Sequence, residues 1–265
     1  MLFDSFQTYT IFSPTSKYIS SSFKGDIKNV AIYSDARTAQ EINSDYTAMI
    51  ADGNYSEEEG YAYLQYIVGL MQKTGHIKTL VYGEENLPKE GGYVMYPNHQ
   101  GKYDAYGIAS VHKKPCTVVI DKERSNFIFV KEVVDMIKGK RLDKKDVKQG
   151  FRIMKEVAEE VSAGRRYIVF PEGGYAKGKT NTLEEFKNGC FKMSVNSKTP
   201  IVPVALVDSY KVMNSSQRGS ITTQVHFLPS IPYEVYQGLK TKEIAELVRE
   251  SIQAKLDEVA GLSSV

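Results

Sequence analysis

Apolar and polar residues change their pattern near residue 74 of this chain. From there on, short runs rich in Val, Ile and Tyr alternate with segments whose apolar residues recur at helical spacing. The runs predict strands at 77–82, 93–97, 116–121, 166–172, 201–207 and 223–228. Because strands that alternate with helices favour parallel pairing, we expect an α/β domain over residues 74–265, with a mixed, largely parallel sheet flanked by helices.

Two helices of this domain carry clear signals. The segment Asp146–Ala163 repeats apolar residues on one face, and Gly164 follows where a helix would end. The segment Thr241–Val259 has Glu243 and Glu246 close to its start, where a helix favours negative charge. Both segments are therefore predicted to be helices.

Residues 1–73 are interpreted as an N-terminal helical extension. Residues 1–59 of it are rich in Ser, Thr, Asp and Tyr and show little of the alternation typical of strands. Amphipathic helices are predicted over 35–51 and 57–73. Their apolar faces fit either docking into a membrane interface or packing against the domain.

Composition and charge narrow the class of protein. The chain has 265 residues, 42% of them hydrophobic, and a net charge of +2, which is typical of a globular protein and gives no reason to expect a nucleic-acid partner. Residues 113–155, however, carry 13 basic and 6 acidic side chains, a net of +7. This stretch fits an anionic membrane surface or an anionic substrate, or a solvated face with interspersed acids.

Cysteine usage and hydropathy bear on location. Cys116 and Cys190 form neither a disulfide framework nor a metal-binding spacing, and the four histidines show no ligand spacing, so we expect no metal. We see neither a signal peptide nor an apolar stretch long enough to span a bilayer. These features favour a cytoplasmic protein whose membrane contact is peripheral, at the inner face.

The stretch NHQGKYD (98–104) is the first candidate for chemistry. It follows the strand at 93–97, and open α/β sheets place their ligands at the carboxyl ends of strands. His99 and Asp104 can meet only if His99 lies on a loop and Asp104 begins the next helix, because a spacing of five residues separates them on a regular helix. Asp104 would then fix the tautomer of His99 and leave Nε2 as a base; a purely structural histidine is the alternative.

Two further stretches are candidates for binding. In RYIVFPEGG (166–174), Glu172 adds a carboxylate, and Gly173 and Gly174 form a loop whose N–H groups could hold a phosphate or an oxyanion. In IKGKRLDKKD (137–146), Arg141 is a candidate for a bidentate phosphate contact in a basic turn. An ordinary strand exit and a solvated basic loop are the alternatives.

In this order, these stretches resemble the glycerophospholipid acyltransferase family. The family's NH-x4-D motif matches Asn98, His99 and Asp104, and its Gly-to-Arg stretch matches 139–141. Its FPEG motif matches 170–173, and its VP strand matches 202–204. The resemblance covers roughly residues 74–235. It departs where the family usually has Thr-Arg after FPEG, because Gly174 and Tyr175 stand there.

The resemblance implies acyl transfer to the free hydroxyl of a lysophospholipid, with 1-acylglycerol-3-phosphate as the expected acceptor and another lysolipid or a glycolipid as the alternative. It implies His99 and Asp104 as catalytic residues. Acyl-CoA or acyl-carrier protein would be the co-substrate, with no other cofactor. The implied substrate-binding residues are Asn98, Arg141, Glu172, Gly173, Gly174 and Lys177.

A rival interpretation rests on residues 173–180. They satisfy G-x4-G-K-[ST], the phosphate-binding loop of nucleotide triphosphatases, with Lys179 as its lysine and Asp208 as a candidate acid. That motif requires a helix to begin at the Lys-Thr pair, because the N-terminus of the helix binds the phosphate. The sequence places the next helix later, which favours the acyltransferase interpretation.

Overall fold

A computed structural model of the protein describes residues 55–126, 130–175, 178–214 and 219–262. The strands of this part of the chain are β1 (Ile77–Tyr82), β2 (Tyr93–Pro97), β3 (Thr117–Asp121), β4 (Lys140–Leu142), β5 (Arg166–Val169), β6 (Ile201–Val207) and β7 (Ile221–Phe227). They form one sheet in the order β1-β7-β6-β2-β5-β3-β4. Only the β6–β7 pair in this sheet is antiparallel. The predicted mixed, largely parallel α/β sheet is confirmed.

Helices cover both faces of the sheet. They are α1 (Glu57–Thr74), α2 (Asp104–Val111), α3 (Val130–Met136), α4 (Val147–Ser162), α5 (Lys192–Ser197), α6 (Lys211–Asn214), α7 (Tyr233–Tyr236) and α8 (Thr241–Leu262). Among the helices in the described ranges, none combines the length and the apolarity that crossing a bilayer requires.

The sheet separates two apolar cores, and β2 shows how. Tyr93 and Met95 belong to the core beneath α1, α2 and α3, whereas Val94 and Tyr96 belong to the core beneath α4, α5 and α8. Alternate side chains of a strand point to opposite faces, so a strand in the middle of a covered sheet must be apolar throughout. All five residues of β2 are buried, and this strand leads directly into NHQGKYD.

Strand β4 was not predicted. Its residues were interpreted as part of a basic turn, but Val119, Ile120 and Asp121 of β3 pair in parallel with Lys140, Arg141 and Leu142. A strand of three residues with two basic side chains has no apolar alternation of its own. It forms because the partner strand supplies its hydrogen bonds, which a local pattern does not reveal.

Helix α1 corrects the interpretation of the N-terminal extension. The predicted helix is present, with Ser56 and Glu59 forming a capping box at its start. Its apolar side chains, including Leu64, Ile67 and Val68, are buried in the same core as the sheet. This face is therefore not available to a membrane, and the expected boundary at residues 73 and 74 does not separate two cores. The helix predicted over 35–51 lies outside the described residues.

A buried histidine, His112, makes the stability of the fold depend on pH. His112 ends α2, where its Nδ1 donates to Lys114 O at 2.6 Å and its Nε2 accepts from the Tyr93 hydroxyl at 2.7 Å. Burial lowers the pKa of His112 to about 4. In the unfolded chain, His112 therefore takes up a proton near pH 6.5, whereas in the folded protein it stays neutral at that pH.

We predict that this group lowers the free energy of unfolding by about 2 kcal/mol between pH 7 and pH 5. Stability rises with pH wherever the unfolded state binds more protons, so the loss begins as the pH falls through 6.5. Urea unfolding at the two pH values, for the parent and for His112→Gln, measures the contribution. The variant should be less stable at pH 7 but lose about 2 kcal/mol less on acidification. An unchanged pH dependence in the variant would contradict the assignment.

Candidate active site

The candidate site lies at the carboxyl edge of the sheet. Strands β2, β3, β5 and β6 run parallel, so the segments that follow them emerge at the same edge. NHQGKYD follows β2, the FPEGG segment follows β5, and Ser209 follows β6. Three segments distant in sequence therefore meet at one place.

His99 and Asp104 form the expected pair. His99 lies on the loop after β2, Asp104 is the first residue of α2, and His99 Nδ1 lies 2.7 Å from Asp104 Oδ2. The side chain of His99 keeps 15% of its surface exposed, whereas that of Asp104 is fully buried. Among the described residues, no hydrogen bond engages His99 Nε2. When the Nδ1–H of His99 donates its hydrogen bond to Asp104, the other ring nitrogen, Nε2, carries no proton and can act as a base.

The Asp104 carboxylate organises the loop around it. Besides His99, it accepts hydrogen bonds from the backbone N–H groups of Gln100 at 2.5 Å and Gly101 at 2.9 Å. Its other oxygen accepts from the Ser209 hydroxyl at 2.5 Å. Charge-assisted bonds of this kind are about twice as strong as neutral ones. The same carboxylate thus orients the imidazole and holds the loop that carries it.

Two amides attach this loop to β6. Asn98 donates to Leu206 O at 3.1 Å and accepts from Leu206 N at 2.7 Å. Gln100 donates to Leu206 O and accepts from Ser209 N. Asn98 is fully buried, and both ends of its amide are engaged. The expected substrate contact of Asn98 is therefore not supported, because its side chain supports the loop instead.

Glu172 lies directly behind His99. Glu172 Oε1 accepts the His99 backbone N–H at 3.1 Å, and Glu172 Oε2 accepts from the ammonium of Lys179. Burial raises the pKa of Glu172, while the Lys179 ammonium acts in the opposite direction. Phe170, from the same segment, stacks on the His99 ring with centroids 4.1 Å apart. The FPEGG segment thus supports both the backbone and the ring of His99.

An open cleft of about 710 Å³ adjoins this pair. It is lined by Arg124, Glu172, Gly173, Gly174, Tyr175, Glu184, Glu185, Phe186, Lys187 and Asn188. Tyr175 connects the cleft to the base, because its ring meets the edge of the His99 ring at 4.6 Å. The cleft and the His99 ring are thus joined through the side chain of Tyr175.

Gly173 and Gly174 differ in whether their backbone N–H groups are available to a substrate. Gly173 has φ of +70°, a conformation that favours glycine, and an added Cβ would lie 2.8 Å from Lys187 Nζ. Its N–H donates to Phe170 O at 3.1 Å, so it is not available to hold an oxyanion as expected. Gly174 also lines the cleft and is the better candidate for a backbone contact with substrate.

Arg141 does not reach the cleft. Its guanidinium pairs with Asp135 at 2.7 Å and donates to Ser125 Oγ and Lys131 O, which ties β4 to α3. The expectation that Arg141 binds substrate phosphate is therefore not supported by this arrangement. Lys177, the remaining expected binding residue, lies outside the described residues.

Arg124 is the cation that the sequence interpretation missed. It follows β3 by three residues, lines the cleft, and lies over the Tyr175 ring with its carbon 4.7 Å from the ring centroid. A basic residue just beyond a parallel strand was the available signal, because such residues converge at the carboxyl edge. It was hidden in a stretch with many other lysines and arginines.

The rival phosphate-binding loop is excluded by its surroundings. No helix begins at Lys179 or Thr180; the described chain stays irregular until the turn at Asn188–Phe191. The Lys179 side chain is 1% exposed and is paired with Glu172. Its ammonium therefore does not face a bound nucleotide. Within the described ranges, no group of three or more His, Cys, Asp or Glu residues could hold a metal ion.

Known proteins resemble this chain in sequence and in fold. The Acyltransferase family model matches residues 78–207, which include NHQGKYD and FPEGG. The crystal structure of the 1-acyl-sn-glycerophosphate (LPA) acyltransferase, PlsC, from Thermotoga maritima superposes with a TM-score of 0.66 at 17% identity. That match covers 81% of this chain and 88% of PlsC. It shows the fold.

Curated relatives agree with the family model. The 1-acyl-sn-glycerol-3-phosphate acyltransferase of Saccharomyces cerevisiae is 28% identical over 68% of this chain. The enzyme of the same name from Borreliella burgdorferi is 22% identical over 69% of it. The chain spans 60% of the length of the yeast relative and 73% of the bacterial one. The fold and the paired histidine and aspartate thus define an acyltransferase domain. Residues 78–207 match the Acyltransferase family model, and this domain is similar to those of glycerophospholipid acyltransferases.

Proposed function

We propose that this protein transfers a fatty acyl group from a thioester to the free hydroxyl of 1-acylglycerol-3-phosphate, which yields phosphatidic acid in phospholipid biosynthesis. The observation that carries the proposal is the His99–Asp104 pair beside an open cleft. The names of the relatives support the choice of acceptor.

The chemistry follows from the geometry. His99 Nε2 takes the proton of the acceptor hydroxyl, and Asp104 stabilises the resulting imidazolium through Nδ1. The alkoxide attacks the thioester carbonyl carbon, and backbone N–H groups of the cleft, such as that of Gly174, hold the oxyanion. The C–S bond then breaks, and the thiolate takes the proton from His99. No acyl-enzyme forms, so no serine or cysteine nucleophile is needed.

The donor in this proposal is acyl-CoA or acyl-carrier protein, with no other cofactor. Both donors present the same thioester, and the reaction consumes neither a metal nor a redox group. Offering each thioester to the purified protein and measuring thiol release distinguishes the two.

We predict that His99→Ala lowers kcat for acyl transfer by about 10²-fold or more, because removal of a general base costs about 10²–10⁴-fold. The assay measures phosphatidic acid formed from 1-acylglycerol-3-phosphate and each thioester. The matched control is His76→Asn, since His76 is exposed and has φ of +50°, a conformation that Asn tolerates. Full activity in His99→Ala would refute the proposed mechanism.

Arg124 supplies the charge for the acceptor phosphate in this proposal. The family usually has an arginine after FPEG, and Tyr175 stands at that position in this chain. The guanidinium of Arg124 packs on the Tyr175 ring, which orients a cation near the position that the family's arginine would occupy. Lys187 lines the same cleft, together with Glu184 and Glu185. A bidentate contact from Arg124 would attract a phosphate despite the repulsion from these two carboxylates.

We predict that Arg124→Ala raises KM for 1-acylglycerol-3-phosphate by about tenfold or more, because a hydrogen bond to a charged group contributes about 1.5–3 kcal/mol. Activity on a phosphate-free monoacylglycerol should not change. The control is Arg249→Ala, in α8. Equal losses on both acceptors would contradict a phosphate contact. A parent protein that prefers the phosphate-free acceptor would instead favour the alternative lysolipid or glycolipid substrate.

A surface of α4 fits an anionic membrane. Val147 and Phe151 are 70% and 56% exposed, although their side chains are large and apolar. Lys148 and Arg152 are exposed on the same helix, and Lys192 Nζ lies 5.4 Å from the centre of the Phe151 ring. We call these five residues the docking face. Apolar side chains flanked by cations are typical of peripheral binding to anionic lipids.

The docking face carries the second half of the proposal, which is peripheral association with the cytoplasmic, inner face of a membrane. Many other cations of the basic stretch are already paired, among them Lys122, Lys144 and Lys145 with Asp143, Asp121 and Glu123. The attraction to lipid therefore depends on the cations of the docking face, of which Arg152 lies 3.8 Å from Glu156 and Lys148 and Lys192 form no ion pair with a described residue. Lys144 also donates to Gly173 O, so this end of α4 adjoins the cleft.

We predict that Val147→Ser with Phe151→Ser weakens binding to vesicles that contain phosphatidylglycerol by about tenfold or more, because each apolar side chain loses about 1.5–3 kcal/mol of burial. Co-sedimentation measures the bound fraction, which should also fall at high salt. The control is Val235→Ser, which removes an exposed apolar side chain from α7. Unchanged binding in the double variant would rule out this surface.

A further inference from the structure

A buried ion pair lies behind the candidate base. The side chains of Glu172 and Lys179 are 0% and 1% exposed, and the Lys179 ammonium donates to Glu172 Oε2. The other oxygen of Glu172 accepts the His99 backbone N–H at 3.1 Å. One carboxylate thus connects a buried cation to the residue that carries the base.

Glu172 also begins the part of the cleft wall that lies beside His99. It is followed by Gly173, Gly174 and Tyr175, which line the cleft. The ring of Tyr175 meets the edge of the His99 ring, with centroids 4.6 Å apart. Fixing the Glu172 carboxylate therefore holds the start of this wall beside His99.

The chain after Lys179 is held in the same region. Asn181 Oδ1 accepts from Gln100 Nε2 at 2.8 Å and from Asp208 N at 2.8 Å, while its Nδ2 donates to Asp208 Oδ1 at 3.0 Å. Gln100 is the residue next to His99. Both Lys179 and Asn181 are thus tied to the immediate neighbourhood of the base, from two different sides.

Burial makes this pair sensitive to the loss of either member. Removing one partner leaves an uncompensated charge in the interior, which is strongly destabilising, whereas replacing both by uncharged groups is often close to neutral. A Glu172 that has lost its cation relieves this cost by taking a proton or by moving toward water. Either response disturbs the acceptor of the His99 N–H.

We propose that Lys179 is a positioning residue for His99, acting through Glu172 and not through contact with substrate. The proposal rests on the function proposed above, in which His99 is the base. It also assigns a role to Lys179, the lysine of the phosphate-binding-loop pattern at 173–180. In this fold that lysine is buried and does not face a nucleotide. Lys179 holds the Glu172 carboxylate against the His99 backbone.

The test compares Lys179→Met, Glu172→Gln and the double variant. Lys179→Met should lower kcat by about 10²-fold, because small displacements of catalytic groups cost that much. In the double variant, the amide oxygen introduced by Glu172→Gln still accepts the His99 N–H, and no lone charge remains. The double variant should therefore recover about tenfold of kcat over Lys179→Met, a coupling of the size found for contacting residues.

Three further measurements keep the outcome clear. Lys179→Arg should retain more activity than Lys179→Met, and the exposed-residue control Lys242→Met should match the parent. KM for 1-acylglycerol-3-phosphate should stay within about threefold in Lys179→Met, since loss of a phosphate contact would raise it by tenfold or more. Circular dichroism and thermal unfolding of each variant identify any that fails to fold, and the double variant, which buries no lone charge, is the one expected to fold best.

Three results would overturn the inference. One is a double variant no more active than Lys179→Met. The others are a Lys179→Met protein with a large rise in KM and an unchanged kcat, and a Lys179→Met protein with full activity. The proposed function fails separately, through full activity in His99→Ala. Loss of activity in His99→Ala together with full activity in Lys179→Met rejects the positioning role alone.

Discussion

The fully buried carboxylate of Asp104 is the interaction on which the candidate site depends. A buried carboxylate must be compensated, and this one receives the His99 imidazole, two backbone N–H groups and the Ser209 hydroxyl. Each of these donors needs the carboxylate in one position. The loop after β2 therefore folds around the Asp104 carboxylate. The same carboxylate selects the tautomer of His99.

Other residues of the site attach the loop after β2 to the neighbouring strands. Asn98 and Gln100 attach the loop to the backbone of Leu206 in β6, and Glu172 holds the His99 backbone from the side of β5. The loop is thus held between two strands that are both hydrogen-bonded to β2. A sheet whose central strands are buried on both faces gives these anchors a rigid frame.

Much of this could be predicted from the sequence, for physical reasons that are local. The strands at 77–82, 93–97 and 201–207 coincide with the observed ones, because continuous apolar runs bounded by polar residues identify buried strands. The spacing allowed a His99–Asp104 contact, provided that a loop enters a helix between the two residues, and the motifs downstream favoured the pair. The strands needed only neighbouring residues, whereas the pair also needed the set of motifs.

What could not be predicted depends on residues far apart in sequence. Strand β4 exists because β3 pairs with it, and Arg141 is directed to Asp135 by that pairing. Arg124 gains its place in the cleft from Tyr175, which lies fifty-one positions away and belongs to a different strand exit. Lys179 matched a nucleotide-binding pattern by its letters alone. Its burial against Glu172, and the irregular chain where that pattern needs a helix to begin, separate it from that class.

Strand β6 has a consequence for how such a site can change. It contributes no reacting group, yet Leu206 and Ser209 hold the loop of the base, so a one-residue shift in its register would displace their backbone groups from Asn98 and Gln100. Arg124 and Tyr175, by contrast, belong to the segments after β3 and β5, and their side chains contact each other beside the cleft. The support that β6 gives to the loop of His99 is thus separate from this part of the cleft lining. Under the proposed function, substitutions at Arg124 would change the choice of acceptor while the contacts of Asn98, Gln100 and Asp104 stay intact.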